Sequence, residues 1–491
     1  MAAPSFLRHA AVYGLGTILI QAGGFFLLPL YTAYLSPAEY GVLEILSRMA
    51  DVLAICLLLG GVRQAVVAFH GQCHDDGERR RVVATLLAVL AVTVLGSVGA
   101  VCLTADYWYA WLGISDANLL RLAFTATMME AAFVLLLAVC QARQESSLYV
   151  GITIAQFLVR TSLVIVLVVG CDWGVWGVVT GTVVVSGAAA LGLAAREVAR
   201  GAWRPDWSKA RAMLAFSLPL MPAGIGFFIL NNGDRFFLLR YAGEDAVGTY
   251  ALAYKLALAV SLLGRTPFTM VWTARMYEVA KQPDASLVFG RCFTRLIGAY
   301  LLVGLALCLF AGEITVLLGG PRYAGVAPLI APVVLAYLFL TVADLMDAGF
   351  YIRRRTWHKS WIVAVSTSTM LLLYALLIPR WHGLGAALAT VGGFVVHACL
   401  TGLASQRVFP VRYEPTRLAA MLALAIGLWS VSQSLPVGGW AIPARLGLWA
   451  LWPALLWLGG FVPEEEKQLA GSLLRRGLVL VRPLHKLDTL R

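Results

Sequence analysis

Charged residues are scarce in this chain of 491 residues. Asp, Glu, Lys and Arg make up 13% of the sequence, whereas 60% of the residues are hydrophobic and the mean hydropathy is +0.80. A soluble domain needs a mostly polar surface, and no single core would hide this much apolar surface. The composition therefore excludes a soluble protein and predicts a polytopic membrane protein.

The sequence also lacks the motifs of several enzyme classes. It contains no Walker loop, no glycine-rich phosphate cradle and no recognisable Ser/His/Asp set, so neither hydrolysis nor ATP-driven transport is indicated. The eight Cys are scattered without paired spacing, which argues against a disulfide framework. The segment HGQCHDD (70–76) has metal-ligand residue types but no second ligand pair, so we interpret it as a solvated loop and predict no metal or cofactor.

Fourteen apolar runs are long enough to cross a bilayer, which takes about 20 residues of α-helix. They are too long and too uniformly apolar for barrel strands, so we predict an all-α integral membrane protein with about 14 transmembrane helices. The first run is interpreted as a retained helix rather than a signal peptide. The runs cover 11–34, 41–69, 82–104, 118–141, 148–170, 174–195, 214–239, 246–271, 292–318, 327–351, 361–378, 384–405, 418–434 and 441–460.

Lys and Arg are distributed unequally between the two sides of the predicted spans. With a cytoplasmic N-terminus, the predicted outer segments carry only Arg240, Arg322, Arg380 and Arg445, and the other loop cations all face the cytoplasm. The positive-inside rule therefore places both termini in the cytoplasm. The net charge of +12 is then a topology signal, and no nucleic-acid partner is predicted.

The chain contains an internal repeat. At an offset of 206 to 209 residues, Gly41 matches Gly248 and Arg48 matches Lys255, and further matches keep the same order over two stretches of six helices. Because six is even, the two copies should be related by a pseudo-twofold axis along the membrane normal. We therefore predict an N-terminal six-helix lobe (1–195), a cytoplasmic linker (196–213), a C-terminal six-helix lobe (214–405), helices 13 and 14 (406–460) and a cytoplasmic amphipathic tail (461–491).

Three stretches resemble a known family. YLSPAEYG (34–41), GVRQAVVAFH (61–70) and NNGDRFFLLRYAGEDAVGTYALAYK (231–255) resemble the oligosaccharide flippases of the polysaccharide transporter family, in the multidrug/oligosaccharidyl-lipid/polysaccharide exporter superfamily. One departure is Ala33, where such proteins often have a basic residue. The resemblance implies two bundles around a V-shaped central cavity.

The same resemblance implies a function. It indicates a transporter that moves an undecaprenyl-diphosphate-linked oligosaccharide across the bacterial cell inner membrane by ion-coupled alternating access, for biosynthesis of O-antigen, capsule or exopolysaccharide. The expected partners are the lipid-linked oligosaccharide, a coupling proton or sodium ion, membrane lipids, and glycan polymerase and chain-length machinery.

Charged residues inside the predicted spans form the candidate site, because a charge at the centre of a span costs on the order of 3 kcal/mol. Glu44, Arg48 and Asp51 are spaced i, i+4 and i+7 and therefore lie on one face of helix 2. This face could be an internal ion-pair ladder between helices or one wall of a cavity. As a cavity wall, it would place Arg48 opposite its repeat partner Lys255.

Such a cavity wall could bind a diphosphate, because one arginine can donate two hydrogen bonds to a phosphate group and a lysine supplies a point charge. Arg63 and Arg265 continue the same two helices toward the cytoplasm, where they either flank the site or extend to the membrane surface. Arg160 is a further candidate. The predicted substrate-binding residues are therefore Arg48, Lys255, Arg63, Arg265 and Arg160.

Three carboxylates are candidate ion-coupling residues: Glu130, Asp51 and Asp234. A desolvated carboxylate can gain and lose a proton near neutral pH, which makes Glu130 the strongest of the three. Glu130 on helix 4 and Arg160 on helix 5 could instead form a structural salt bridge. Asp234 precedes Arg235 and is expected to pair with it locally.

Two other functions stay open at this point. A cation-coupled multidrug exporter of the same superfamily should have an acidic cavity, whereas the spans here carry more Arg and Lys than such a cavity would need. An integral-membrane glycan polymerase or ligase would need catalytic groups on its outer face, and the longest outer loop, DYWYAWLGISDA (106–117), offers few. We therefore prefer a transporter without enzymatic activity.

Overall fold

A computed structural model of the chain describes residues 27–461, apart from 58, 74, 113–115, 265–271, 273–275, 354, 356 and 437–440. All regular secondary structure in these residues is helical. Most of the first predicted span and residues 462–491 of the predicted tail lie outside the described residues.

The helices of the described residues overlap the predicted runs, but the run at 214–239 is divided among three helices and the runs at 361–378 and 384–405 lie in one. They are α1 (Leu28–Tyr34), α2 (Pro37–Cys56), α3 (Leu59–Gln72), α4 (Asp76–Leu112), α5 (Ala117–Ala142), α6 (Ser146–Ile165), α7 (Gly174–Ala199), α8 (Trp207–Ser217), α9 (Leu220–Asn232), α10 (Asp234–Gly264), α11 (Ala285–Leu309), α12 (Ala311–Gly319), α13 (Ala327–Met346), α14 (Ala348–Ile352), α15 (Trp357–Val408), α16 (Pro415–Ser432) and α17 (Ile442–Leu458). A π-helical turn, Val166–Gly170, extends α6, and a 3-10 segment, Gly320–Val326, precedes α13.

The predicted all-helical membrane fold is confirmed. Within the described residues, eight helical segments are long and apolar enough to cross a membrane, or nine if α2 and α3, which are bent by 46°, form one span. One of the eight, α15, contains both the eleventh and the twelfth predicted run, separated at His382 by a backbone break (φ 47°, ψ −123°). The count of fourteen spans stays a prediction.

The chain divides into two compact units. The first comprises the described residues of 1–258 and 314–409, and the second those of 259–313 and 410–491. In the first unit, a hydrophobic core joins α3, α4, α5 and α7. Met128 and Leu136 of α5 lie at its centre, with Val66 of α3 and Leu86 of α4, and all four are at most 2% exposed.

In the second unit, α11 packs against α16 and α17. The indole Nε1 of Trp449 on α17 donates a hydrogen bond to the carbonyl of Leu302 on α11 (3.0 Å). Arg445, also on α17, is buried and pairs with the carboxylate of Glu313. These polar side chains thus find partners inside the same helical unit.

The letters SPAE (36–39) at the start of α2 form a capping box. The Ser36 hydroxyl accepts a hydrogen bond from the backbone N–H of Glu39 (3.2 Å), and the Glu39 carboxylate accepts one from the backbone N–H of Ser36 (2.8 Å). Pro37 fits the first helical turn, where its missing N–H costs nothing. The capping box therefore sets the residue at which α2 begins and, through the helical spacing, the face of α2 on which Glu44 lies.

The two repeat-related glycines lie at a reciprocal contact between α2 and α10. A Cβ atom on Gly41 would clash with the carbonyl oxygen of Glu244, and one on Gly248 would clash with that of Pro37. Glu244 precedes Gly248 by the same four residues that separate Pro37 from Gly41. This two-way equivalence supports the predicted duplication. Arg48 and Lys255 follow the two glycines in sequence, so the close approach of the backbones also brings the helices that carry these cations together.

Replacing Gly41 with alanine should destabilise the protein by roughly 1–3 kcal/mol, because a methyl group there meets backbone that cannot move aside. Thermal unfolding of the purified protein in detergent measures the effect. Gly99→Ala on α4 is the matched control, since its Cβ meets no atom within 4 Å and alanine favours helix more than glycine does. Equal stability of Gly41→Ala and Gly99→Ala would show that the crossing is not tight.

Candidate functional site

The carboxylate of Glu44 on α2 is the meeting point of three cations. Its Oε1 lies 3.2 Å from Nε of Arg48 and 3.7 Å from Nε of Arg235, and its Oε2 lies 3.5 Å from Nζ of Lys255. Glu44 is 5% exposed. Removing charges from water costs several kcal/mol unless they are paired, so the four groups stabilise one another.

Arg48 has further partners on two helices. Its Nη1 lies 2.8 Å from the Asp51 carboxylate and donates a hydrogen bond to the side-chain oxygen of Asn232 (3.2 Å). The i, i+4, i+7 face that the sequence predicts is therefore an ion-pair ladder, Glu44–Arg48–Asp51, along α2. The same three side chains also line a cavity.

Lys255 on α10 lies beside an aromatic ring of α2. Its Nζ is 4.8 Å from the ring centroid of Tyr40, a buried residue one position before Gly41. A cation over a desolvated ring gains on the order of 1–2 kcal/mol. The Lys255 side chain is 39% exposed, which makes it the most accessible of the three cations around Glu44.

Asp234 and Arg235 form a buried cluster at the start of α10. Nη1 of Arg235 lies 2.7 Å from the Asp234 carboxylate, and the Tyr250 hydroxyl donates a hydrogen bond to the other carboxylate oxygen (2.6 Å). The Arg235 guanidinium also lies 3.9 Å from the ring centroid of Tyr254. Local pairing of Asp234, as predicted, is confirmed, and the cluster fixes Arg235 where it reaches Glu44.

A second ion pair joins α5, α6 and α7. Nη1 of Arg160 lies 3.4 Å from Oε2 of Glu130, and the same oxygen accepts hydrogen bonds from the Gln156 amide (3.3 Å) and the Ser186 hydroxyl. The predicted Glu130–Arg160 pair is therefore present. Partners on α6 and α7 hold the Glu130 carboxylate of α5, and the Glu130 side chain is 35% exposed.

One cavity of about 600 Å³ in the first unit collects most of these groups. Its wall comes from α1, α2, α3, α5, α6, α7 and α10, and apolar side chains separate the charged ones. Four cations and three carboxylates line it: Arg48, Arg63, Arg160 and Lys255 with Glu44, Asp51 and Glu130. Such a cavity can bind an anionic group through its cations and exchange a proton or metal cation through its carboxylates.

Of the eight residues predicted from the sequence, six line this single cavity and one does not. Asp234 is fully buried against Arg235 and Tyr250 instead of lining the cavity. The eighth, Arg265, lies outside the described residues. Among the described residues, no group of three or more His, Cys, Asp or Glu could hold a metal ion.

Sequence reasoning missed some contributors to the site. Glu44 was placed on the polar face of helix 2, but its position between three cations depends on the packing of α10 against α2. Gln156 lies one helical turn before Arg160, and this i, i+4 polar spacing could have identified it. Ser186 gave no signal, because a small hydroxyl in an apolar helix is common and its partner is 56 residues away.

Solved structures of two transporters share this fold. The lipid II flippase MurJ, in an inward closed conformation, aligns with a TM-score of 0.68 at 11% identity over 96% of this chain and 100% of MurJ. A multidrug resistance MATE family transporter of the MOP superfamily, in an inward-facing conformation, aligns with a TM-score of 0.62 at 13% identity over 82% of this chain and 95% of its own. At these identities the likeness concerns the fold.

Sequence comparison identifies the family. No curated protein matches this chain by sequence. A family model described as polysaccharide biosynthesis protein matches residues 6–277, which is more than half of the 491 residues. This multi-pass membrane protein therefore belongs to the polysaccharide biosynthesis protein family.

Proposed function

We propose that the chain is a flippase that moves a polyprenyl-diphosphate-linked oligosaccharide across the bacterial cytoplasmic membrane, with both termini in the cytoplasm. Family membership, the fold shared with a lipid II flippase and the charged cavity support this proposal. Lobes 1–195 and 214–405 would rock about the site to give alternating access. A glycan polymerase and chain-length machinery are proposed partners in the same biosynthesis.

The arrangement of charge around Glu44 is the observation that carries the proposal. The side chains of Arg48 and Lys255 are 25% and 39% exposed, whereas that of Glu44 is 6% exposed. Arg48 and Lys255 are therefore the accessible charges at this part of the cavity, and the Glu44 carboxylate that stabilises them is nearly buried in the same wall. A diphosphate entering the cavity meets one guanidinium, which can bind two oxygens, and one ammonium, which acts as a point charge.

Asp51 offers a way to couple this site to an ion gradient. The Asp51 carboxylate pairs with Nη1 of Arg48, and the Asp51 side chain is 51% exposed. It would therefore compete with a diphosphate in the cavity for the same donor. A proton or sodium ion on Asp51 would weaken that pair and release Arg48 for the substrate. Ion binding and substrate binding would then favour each other in the same conformation.

Glu130 is the less accessible of the two cavity carboxylates that could exchange an ion. It already accepts hydrogen bonds from Ser186 and Gln156 and pairs with Arg160. These three partners favour a structural role in joining α5, α6 and α7. We therefore assign coupling to Asp51 first, and treat Glu130 as a second candidate that a separate experiment decides.

A multidrug exporter is the second candidate function. The exposed carboxylates of Asp51 and Glu130 could attract a cationic drug, and the fold is shared with a MATE transporter. Resistance of cells to cationic dyes separates the two functions. A drug exporter would confer resistance that Asp51→Asn removes, whereas a glycan flippase would leave dye resistance unchanged and restore surface polysaccharide to a strain lacking this gene.

Replacing Arg48 or Lys255 with alanine should lower glycan export roughly tenfold or more, since hydrogen bonds to charged groups contribute about 1.5–3 kcal/mol each. Arg48→Lys should be milder than Arg48→Ala, because the charge survives while the planar fork is lost. Surface polysaccharide in the complemented strain measures export, at equal membrane abundance of each variant.

Arg121→Ala is the matched control for these two variants. Arg121 also pairs with an aspartate, Asp106, at 2.5 Å, but it does not line the cavity. Export by Arg121→Ala should stay near that of the unchanged protein. Normal export by the Arg48→Ala, Lys255→Ala double variant would contradict the assignment of the diphosphate site.

Asp51→Asn should retain substrate binding but lose the dependence of transport on an ion gradient, because the amide cannot take up a proton or hold sodium. Transport of a fluorescent polyprenyl-diphosphate-linked sugar into proteoliposomes, with and without an imposed pH or sodium gradient, measures this dependence. Asp106→Asn is the control outside the cavity. Unchanged gradient dependence in Asp51→Asn would exclude Asp51 as the coupling site.

Glu130→Gln alone should reduce transport, because it leaves Arg160 without its ionic partner. If the pair is structural, the double variant Glu130→Gln, Arg160→Gln should restore transport in the same proteoliposomes, since neither charge is then unpaired. If Glu130 carries the coupling ion, the double variant should stay uncoupled from the gradient. The comparison therefore assigns Glu130 to one of the two roles.

A further inference from the structure

A second polar cavity, of about 680 Å³, lies in the first unit where three predicted cytoplasmic segments meet. The first segment joins α3 to α4, the second is the turn between α5 and α6, and the third follows α7. This cavity shares no lining residue with the one around Arg48. It is therefore a separate feature, independent of the proposed transport site.

Arginine dominates the wall of this second cavity. Its lining residues include four arginines but only one carboxylate: Arg79, Arg80, Arg143 and Arg200 with Asp76. A cation would be repelled by such a wall. An anion with several acceptor oxygens would match it, because each guanidinium presents five N–H donors in a fixed plane.

Two of the arginines keep unused donors. Arg79 pairs with Asp76 through Nη1 (3.2 Å), but its Nε is buried and lacks a hydrogen-bond partner. Nε of Arg80 donates a hydrogen bond to the backbone carbonyl of Asp76 (3.3 Å). Within the part of the chain that the structure describes, no carboxylate lies within ion-pair distance of Arg80.

The other two arginines are held from behind by carboxylates. Nη2 of Arg143 lies 2.6 Å from Glu197, and Nη1 of Arg200 lies 3.0 Å from Glu145. Burial alone would raise the pKa of Glu145, but hydrogen bonds from Arg196 and Arg200 outweigh it and hold the pKa below its ordinary value. Glu145 therefore stays ionised at neutral pH, and the wall is ordered before a ligand arrives.

We propose that this cavity binds a phosphate group. Several guanidinium groups around one small volume match a phosphate group better than a carboxylate, because phosphate carries more negative charge and more acceptor oxygens. At the predicted cytoplasmic surface, phosphate groups come from two sources: the headgroup of an anionic phospholipid, and soluble phosphorylated compounds. Both would bind through the same arginines.

Binding to the purified full-length protein in detergent tests the proposal. The probes are short-chain phosphatidylglycerol and inorganic pyrophosphate, each at constant ionic strength, with binding followed by thermal shift or thermophoresis. The site variant is Arg79→Gln with Arg80→Gln. The matched control is Arg81→Gln with Arg204→Gln, which removes the same charge from exposed arginines that do not line the cavity.

The site variant should bind at least one probe about tenfold more weakly than the unchanged protein, while the control retains its affinity. Loss of phosphatidylglycerol binding alone would identify a lipid headgroup as the ligand, and loss of both would identify a general phosphate site. Equal weakening in the two variants would overturn the proposal, because bulk positive charge would then explain the binding. Absence of binding to the unchanged protein would also overturn it.

Arg80→Lys covers the case in which the double variant fails to fold. It keeps the charge and removes the planar fork, so it should unfold at the same temperature as the unchanged protein without probe and still bind more weakly. Full affinity in Arg80→Lys together with full affinity in Arg80→Gln would exclude Arg80 from the site and overturn the proposal.

Discussion

The candidate site depends on the ion pairs that the buried carboxylate of Glu44 makes with three cations. Three cations within a membrane-embedded helical unit would each be costly alone, and one anion between them offsets that cost. Because Arg48 and Lys255 are more exposed than the Glu44 carboxylate, the neutralising charge leaves both cations accessible from the cavity. The cluster thus serves both stability and ligand attraction, although Arg235 is buried and contributes only to stability.

The crossing of α2 and α10 makes this arrangement possible. Gly41 and Gly248 let the two backbones approach until each Cα faces the other helix's carbonyl oxygen, and Lys255 then lies within reach of Glu44. The predicted duplication is not exact at this point. The residue equivalent to Glu44 in the second copy is Ala251, so one carboxylate serves cations from both copies and the site is asymmetric.

Ion pairs are distributed differently in the two cavities. Around Glu44 the carboxylate is central and two of its three cations line the cavity, whereas Glu145 and Glu197 pair with arginines of the second cavity without lining it themselves. In both places the acids order basic side chains without occupying all of their donors. In both cavities, carboxylates therefore position cations.

The membrane class, the all-helical fold and six of the cavity residues could be predicted from the sequence alone, because long apolar runs, helical spacing and the cost of buried charge act locally. The capping box at Ser36 and the ladder from Glu44 to Asp51 are of this kind. Tertiary structure decided that Arg235 reaches Glu44, that Ser186 holds Glu130 and that Asp234 lies away from the cavity. Those contacts join residues far apart in the chain, and they depend on how closely whole helices pack, which no local pattern records.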